Sequence, residues 1–105
     1  MALFRKSLTT SRVAVRNGTA KPLLLIFEPW CWTAELPIDG ELICEATSPR
    51  PGIPGVEYTP DSVTVYAWDA SVARVLTPAG EVVVSLDIPV PDFMGLERER
   101  ARRAR

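Results

Sequence analysis

Few side chains in this sequence can do chemistry. Cys31 and Cys44 are the only cysteines, and there is no histidine. A Ser-His or Cys-His nucleophile is therefore ruled out, and Cys31, set between Trp30 and Trp32, has no basic neighbour in sequence to lower its pKa. A blue-copper centre needs two imidazoles beside its cysteine, and two cysteines thirteen positions apart lack the paired spacing of a structural zinc site. Acids are so abundant that some pair will always resemble a glycosidase arrangement, so their number carries no information; eleven on a small body read as a solvated surface. The expectation is a protein without catalytic residues, metal or other cofactor.

Two groups of side chains could instead make contacts. Trp30, Trp32, Tyr66 and Trp68 could form a platform for a sugar ring, a base or a peptide, or they could seal the rim of a core with each indole N–H on a carbonyl. Near the end of the sequence, Phe93, Met94 and Leu96 precede Arg98, Arg100, Arg102, Arg103 and Arg105. This reads as an apolar anchor joined to a basic docking segment that orders on contact. The arginines could neutralise phosphates, but no aromatic interleaves them and an acidic body would repel the same polyanion. Pro51 to Gly55 is glycine-rich, yet no helix follows to hold an anion.

Charge is divided along the chain. The net value of −1 over 105 residues hides +5 in residues 1–21, −9 in residues 22–96 and +3 in residues 97–105. An acidic body thus lies between two basic arms. The longest apolar run, Leu23 to Phe27, is far shorter than the roughly 20 residues of a membrane span, and no membrane partner is expected. Residues 1–11 hold no apolar core of a secretory signal, so a reduced, cytoplasmic setting and two small buried thiols are expected rather than a 31–44 disulfide. The acid-free start has transit-peptide composition, but strand-like alternation from Val13 leaves little room for a removable segment.

These groups must be held by short strands. Val13 and Val15 alternate with polar neighbours, and Asn17-Gly18 predicts a type I′ hairpin that returns this strand into Leu23–Phe27, pairing Arg16 with Thr19 and Val13 with Pro22. In that register Leu24 and Ile26 share the face of Val13 and Val15, while Leu23, Leu25 and Phe27 point away. The second face is then covered by the rest of the chain, reset by a bulge, or left as an apolar stripe. Glu28-Pro29 ends the run.

Further on, Leu36 to Gly40 is a turn, and Glu41 to Thr47 is a strand with Leu42, Cys44 and Ala46 inward and Glu41, Glu45 and Thr47 outward. Ser48 to Gly55, with three prolines, is a surface crossover between sheets. Strands are read over 56–59, 62–68, 71–77 and 81–88, the last with Val82, Val84, Leu86 and Ile88 inward, and Pro78-Ala79-Gly80 predicts a bulged hairpin. Residues 96–105 read as a marginal helix with Glu–Arg pairs.

The expected fold is all-β: a small antiparallel β-sandwich of about seven strands, immunoglobulin-like or cupredoxin-like in outline, over residues 12–91. Residues 1–11 form an extension and residues 92–105 a hydrophobic-basic tail. The expected function is a non-enzymatic interaction or assembly module, binding a protein partner or itself through acidic body and basic arms. The alternative is a carbohydrate- or peptide-binding domain using the tryptophans, and a third reading is a nucleic-acid accessory protein using the arginines.

Overall fold

The computed structural model describes residues 7–91, which form eight strands: β1 (Thr9–Arg16), β2 (Leu23–Glu28), β3 (Trp32–Leu36), β4 (Glu41–Ser48), β5 (Gly55–Tyr58), β6 (Ser62–Tyr66), β7 (Val72–Leu76) and β8 (Val82–Leu86). They make two four-stranded sheets, ordered β1-β4-β7-β8 and β3-β2-β6-β5. Neither closes into a barrel, and no helix occurs among the described residues. The helix expected over 96–105 and the arginine segment lie outside the described residues, as do residues 1–6. β1 begins at Thr9, inside the stretch read as an extension.

Period-two alternation places one apolar face of each sheet inward. The second sheet supplies large residues, Leu23, Leu25, Phe27 and Leu36 with Val63 and Val65, all at most 2% exposed. The first supplies smaller ones, Cys44, Ala46 and Ala73 beside Val15 and Val75, and the two sets form a single apolar cluster. Large against small is what close packing at interior density requires.

The Asn17-Gly18 hairpin does not form. β1 pairs antiparallel with β4, Arg12 opposite Glu45 and Arg16 opposite Glu41, and the chain crosses to the other sheet before β2. In a β1–β2 hairpin Leu23, Leu25 and Phe27 would point away from Val13 and Val15; the crossing instead buries these three in the core, leaves Leu24 on the outer face, and gives the β1 arginines acidic neighbours. Asn17, fully buried, holds the crossing. Its Nδ2 donates to the carbonyls of Lys21 (2.8 Å) and Leu36 (2.9 Å), its Oδ1 accepts from Thr19 N (2.9 Å) and Thr19 Oγ1 (2.6 Å), and its backbone N–H donates to Gly40 O (2.9 Å).

Three more expectations are corrected. The sandwich was expected to be antiparallel throughout, but β2 runs parallel to β6, Leu25 opposite Val63 and Glu28 opposite Tyr66. An eighth strand, β3, returns from the tryptophan corner to pair with β2. In β8, Val84 and Leu86 pack on the core, but Val82 and Ile88 are 51% and 77% exposed. A bulge is the reason at Val82: Val75 opposes Val84 while Leu76 opposes Val82, leaving Val83 as the extra residue that resets the alternation, whereas Ile88 lies beyond the end of the strand. The Pro78-Ala79-Gly80 turn takes the expected form, with Gly80 at φ 90° and its N–H on Thr77 O at 2.9 Å. The 49–54 stretch carries the chain from the first sheet to the second.

Candidate functional site

The four aromatics do not share one platform. All three tryptophans pack against the apolar cluster. Trp30 meets Phe27 edge-on, with ring centroids 5.2 Å apart at 86°, and its Nε1–H donates to the Ile88 carbonyl at 2.7 Å. Trp68, expected beside Tyr66, follows the end of β6; its Nε1–H donates to Arg50 O at 2.8 Å and its ring covers Gly52, where an added Cβ would lie 2.5 Å from the indole. Trp32 sits on β3 opposite Phe27. Indoles whose bodies are packed and whose N–H groups are taken by carbonyls act as rim seals.

Tyr66 alone of the four lies on the outer face of the second sheet, 43% exposed. The β2–β6 register puts it opposite Glu28, and the β5–β6 register opposite Gly55. Its hydroxyl donates to Glu57 Oε2 at 3.3 Å. The negative charge of Glu57, then partial desolvation, the Glu57 hydrogen bond and the charge of Glu28 together push the phenol pKa up.

Beside Tyr66 runs a groove of about 450 Å³. Ile26, Pro29, Ala67 and Val90 supply its apolar lining, and Glu28, Asp69, Thr64 and Tyr66 its polar groups. No lysine or arginine is among the described residues that line it. Glu28 is at the end of β2 because Pro29 stops the strand there, and the backbone of Ala67 donates to Glu28 O at 3.0 Å, fixing the corner. The groove therefore combines an apolar lining with carboxylates at its rim, a combination suited to an apolar side chain carried next to a cation.

Cys31 borders the same corner. It was expected to be buried but is exposed, at φ 55°, and its thiol donates to the Glu28 carboxylate at 3.5 and 3.6 Å. The Glu28 hydrogen bond and charge raise its pKa, which works against a thiolate. Cys44 is buried in the core and desolvation pushes its pKa up to about 12. Both thiols are free, and no group of three or more His, Cys, Asp or Glu suited to a metal occurs among the described residues.

On the opposite sheet, Glu45 was expected to face solvent. It lies in the outward register but is 5% exposed, because Arg12 Nε (2.6 Å) and Arg74 Nη2 (2.7 Å) close over its carboxylate from both neighbouring strands. Burial alone would raise its pKa, but the hydrogen bonds and charges of Arg74 and Arg12 outweigh that, and the carboxyl is held below its ordinary value. This cluster joins β1, β4 and β7 across the sheet.

The groove residues Glu28, Asp69 and Val90, and Glu57 bonded to Tyr66, were not singled out as site residues from sequence, because their proximity depends on the pairing of strands far apart in the chain. The segment with Phe93, Met94, Leu96, Arg98, Arg100, Arg102, Arg103 and Arg105 lies outside the described residues. Compared with protein-family models, curated proteins and solved structures, the chain matches none of them.

Proposed function

We propose that this domain is a non-enzymatic interaction or assembly module working in a reducing, cytoplasmic setting through protein–protein contacts, its acidic body and basic arms meeting a protein partner or further copies of itself. The observation that carries this reading is the edge strand β5, which among the described residues pairs on one side only, with β6. Val56 and Tyr58 lie in register with the core residues Val65 and Val63, yet they are 39% and 58% exposed. Ile53, just before the strand, is 81% exposed. A sheet edge with free backbone groups and uncovered apolar side chains can receive an added strand. Pro54 and Pro60 limit that addition to a short stretch, and Glu57 between the apolar positions favours a partner segment with basic residues.

We read the two sheets as a β-sandwich, a reading their shared apolar cluster supports. The immunoglobulin-like or cupredoxin-like outline is a comparison of architecture and implies no function. The alternative built on the tryptophans has less to work with, since the N–H groups of Trp30 and Trp68 are engaged by carbonyls of the chain.

Light scattering on the full chain tests the proposal. The expected result is a molar mass above that of one chain at low salt, falling towards it near 1 M salt, where screening acts over about 3 Å. Val56→Lys should reduce that association without changing the melting temperature. A chain that stays monomeric at every salt and concentration, while its tryptophan emission responds to sugars or peptides, would favour the ligand-binding alternative.

A further inference from the structure

The ladder between β5 and β6 determines which groups the β5 edge presents. Thr59 N–H donates to Ser62 O at 2.9 Å, just beyond the last paired residues. Antiparallel ladders alternate, so Glu57 and Gly55 turn their N–H and C=O groups to β6 as Thr59 does, and those of Val56 and Tyr58 point to the open side. Side chains alternate between the faces. Val56 and Tyr58, in register with the buried Val65 and Val63, lie on the inner face, and Gly55 and Glu57 lie on the outer face with Tyr66.

The outer face beside this edge is suited to a cation. Gly55, Tyr66 and Glu28 form one row across β5, β6 and β2. Gly55 puts no side chain into that row, so the first group met from the edge is Tyr66, whose Cβ and Cδ2 lie 3.6 and 3.7 Å from where a Gly55 Cβ would be. The Tyr66 hydroxyl holds Glu57 Oε2, and neither Glu57 nor Glu28 pairs with a lysine or arginine among the described residues. An aromatic ring between two such carboxylates fits the planar guanidinium of arginine, which stacks on the one and hydrogen-bonds the others. A residue added opposite Glu57 shares its face and places its Cβ about 5 Å away.

The β5 strand of a second copy does not meet this chemistry. The symmetric register that uses every edge-facing group pairs Val56 with Tyr58, and it sets the two copies of Glu57 directly against each other, where like charges repel. Shifting the register either way brings Pro54 opposite Tyr58 or Pro60 opposite Val56, and proline has no N–H to donate.

We propose that the β5 edge receives an extended segment of a partner chain in which apolar side chains alternate with arginines, the apolar ones covering Val56 and Tyr58 and the arginines lying on Tyr66 between Glu57 and Glu28. Backbone bonds to Val56 and Tyr58 hold the segment, and the outer face selects its charge. The inference rests on the reading that β5 accepts an added strand, and it names the side-chain pattern of what is added.

Fluorescence anisotropy on the full chain tests it with two dye-labelled, end-capped octapeptides, one alternating valine with arginine and one alternating valine with serine. The arginine peptide should bind about tenfold more tightly than the serine peptide, the product of a cross-strand charge pair and a stacked cation. Glu28→Gln with Glu57→Gln should remove that advantage, whereas Glu81→Gln, a charge lost in the β7–β8 turn, should leave it unchanged. Val56→Pro removes an edge-facing donor and no bond to β6, so it should weaken both peptides at unchanged melting temperature. If that variant misfolds, hydrogen exchange on the parent chain decides: the arginine peptide should slow the Val56 and Tyr58 amides and leave those of Gly55 and Glu57 as they were. Equal affinity for the two peptides overturns the proposal and leaves β5 as a receiving edge. Arginine binding that survives both the double glutamine variant and Val56→Pro also overturns it, because the attraction is then that of the acidic body at large. Failure of both peptides overturns it as well, and light scattering then separates the readings: association of copies that Val56→Pro abolishes assigns the edge to a second copy and keeps the assembly reading. A chain that binds the arginine peptide at β5 yet stays monomeric at every salt removes self-association and supports the inference.

Discussion

Replacing Leu25 with alanine tests the arrangement of the core most directly. Leu25 is 0% exposed, in a strand hydrogen-bonded on both sides, with Ala34 across one ladder and Val63 across the other. Leucine-to-alanine changes at such sites cost about 2–5 kcal/mol, and the upper half of that range applies here because two flanking strands and a facing sheet prevent collapse into the cavity. Against a total stability of about 5–15 kcal/mol for a domain of this size, the urea midpoint should fall by roughly 1–3 M. Leu24→Ala is the control: Leu24 is 44% exposed on the outer face and should cost no more than about 0.5–1 kcal/mol. Circular dichroism in a urea series measures both. A cost at Leu24 equal to or larger than that at Leu25 would refute the argument, and the larger cost is what a one-residue slip of β2, which exchanges its faces, would give. An unchanged melting temperature for Leu25→Asp, with a changed molar mass, would show this face to be an interface.

Three further outcomes follow from particular contacts. Asn17→Ala removes the side-chain donor of the buried Leu36 carbonyl and the acceptor of Thr19 N–H at the crossing, and chemical denaturation should show a loss of about 2 kcal/mol. Glu45 has a folded pKa below its ordinary value of 4.5, so the stability it adds is present above that value and lost as pH falls through the folded pKa; Glu45→Gln should be less stable than the parent at pH 7, with the gap narrowing as pH falls below 4.5, as a series of urea midpoints against pH would record. Iodoacetamide should label Cys31 slowly at pH 8 and faster after Glu28→Gln, and should reach Cys44 only on unfolding; replacing both cysteines with alanine should leave a folded domain by circular dichroism.

What the sequence made legible was local. The alternation around Val13, Cys44 and Val63, the proline-rich crossover and the Pro78-Ala79-Gly80 turn all depend on neighbours a few residues apart, and each appears in the fold. Partner strands were not legible. Asn17-Gly18 has the composition of a hairpin, but the gain from burying Leu23, Leu25 and Phe27 against the facing sheet exceeds that of a two-residue turn, and the asparagine serves instead as a buried tie. The stretch Trp32 to Leu36 does alternate, yet its modest apolar content did not mark it as a strand. The Tyr66 groove was invisible for the same reason as the parallel pairing: Glu28, Tyr66 and Val90 become neighbours only when separate strands have chosen each other.

The 49–54 crossover divides the strands in a way that bears on how the chain acquires its shape. Everything before it provides the adjacent pairs β1-β4 and β3-β2, everything after it the adjacent pairs β7-β8 and β6-β5, and strands of the two halves pair only along β4–β7 and β2–β6. Three hairpins, β2–β3, β5–β6 and β7–β8, can zip early, but both seams join strands distant in sequence, so closing them sets a slow, high-contact-order folding step. Neither half can satisfy its seam strands alone. Two chains crowded during refolding can satisfy them by exchanging halves through the crossover, so concentration during refolding, rather than temperature, is the variable expected to decide between monomers and domain-swapped dimers.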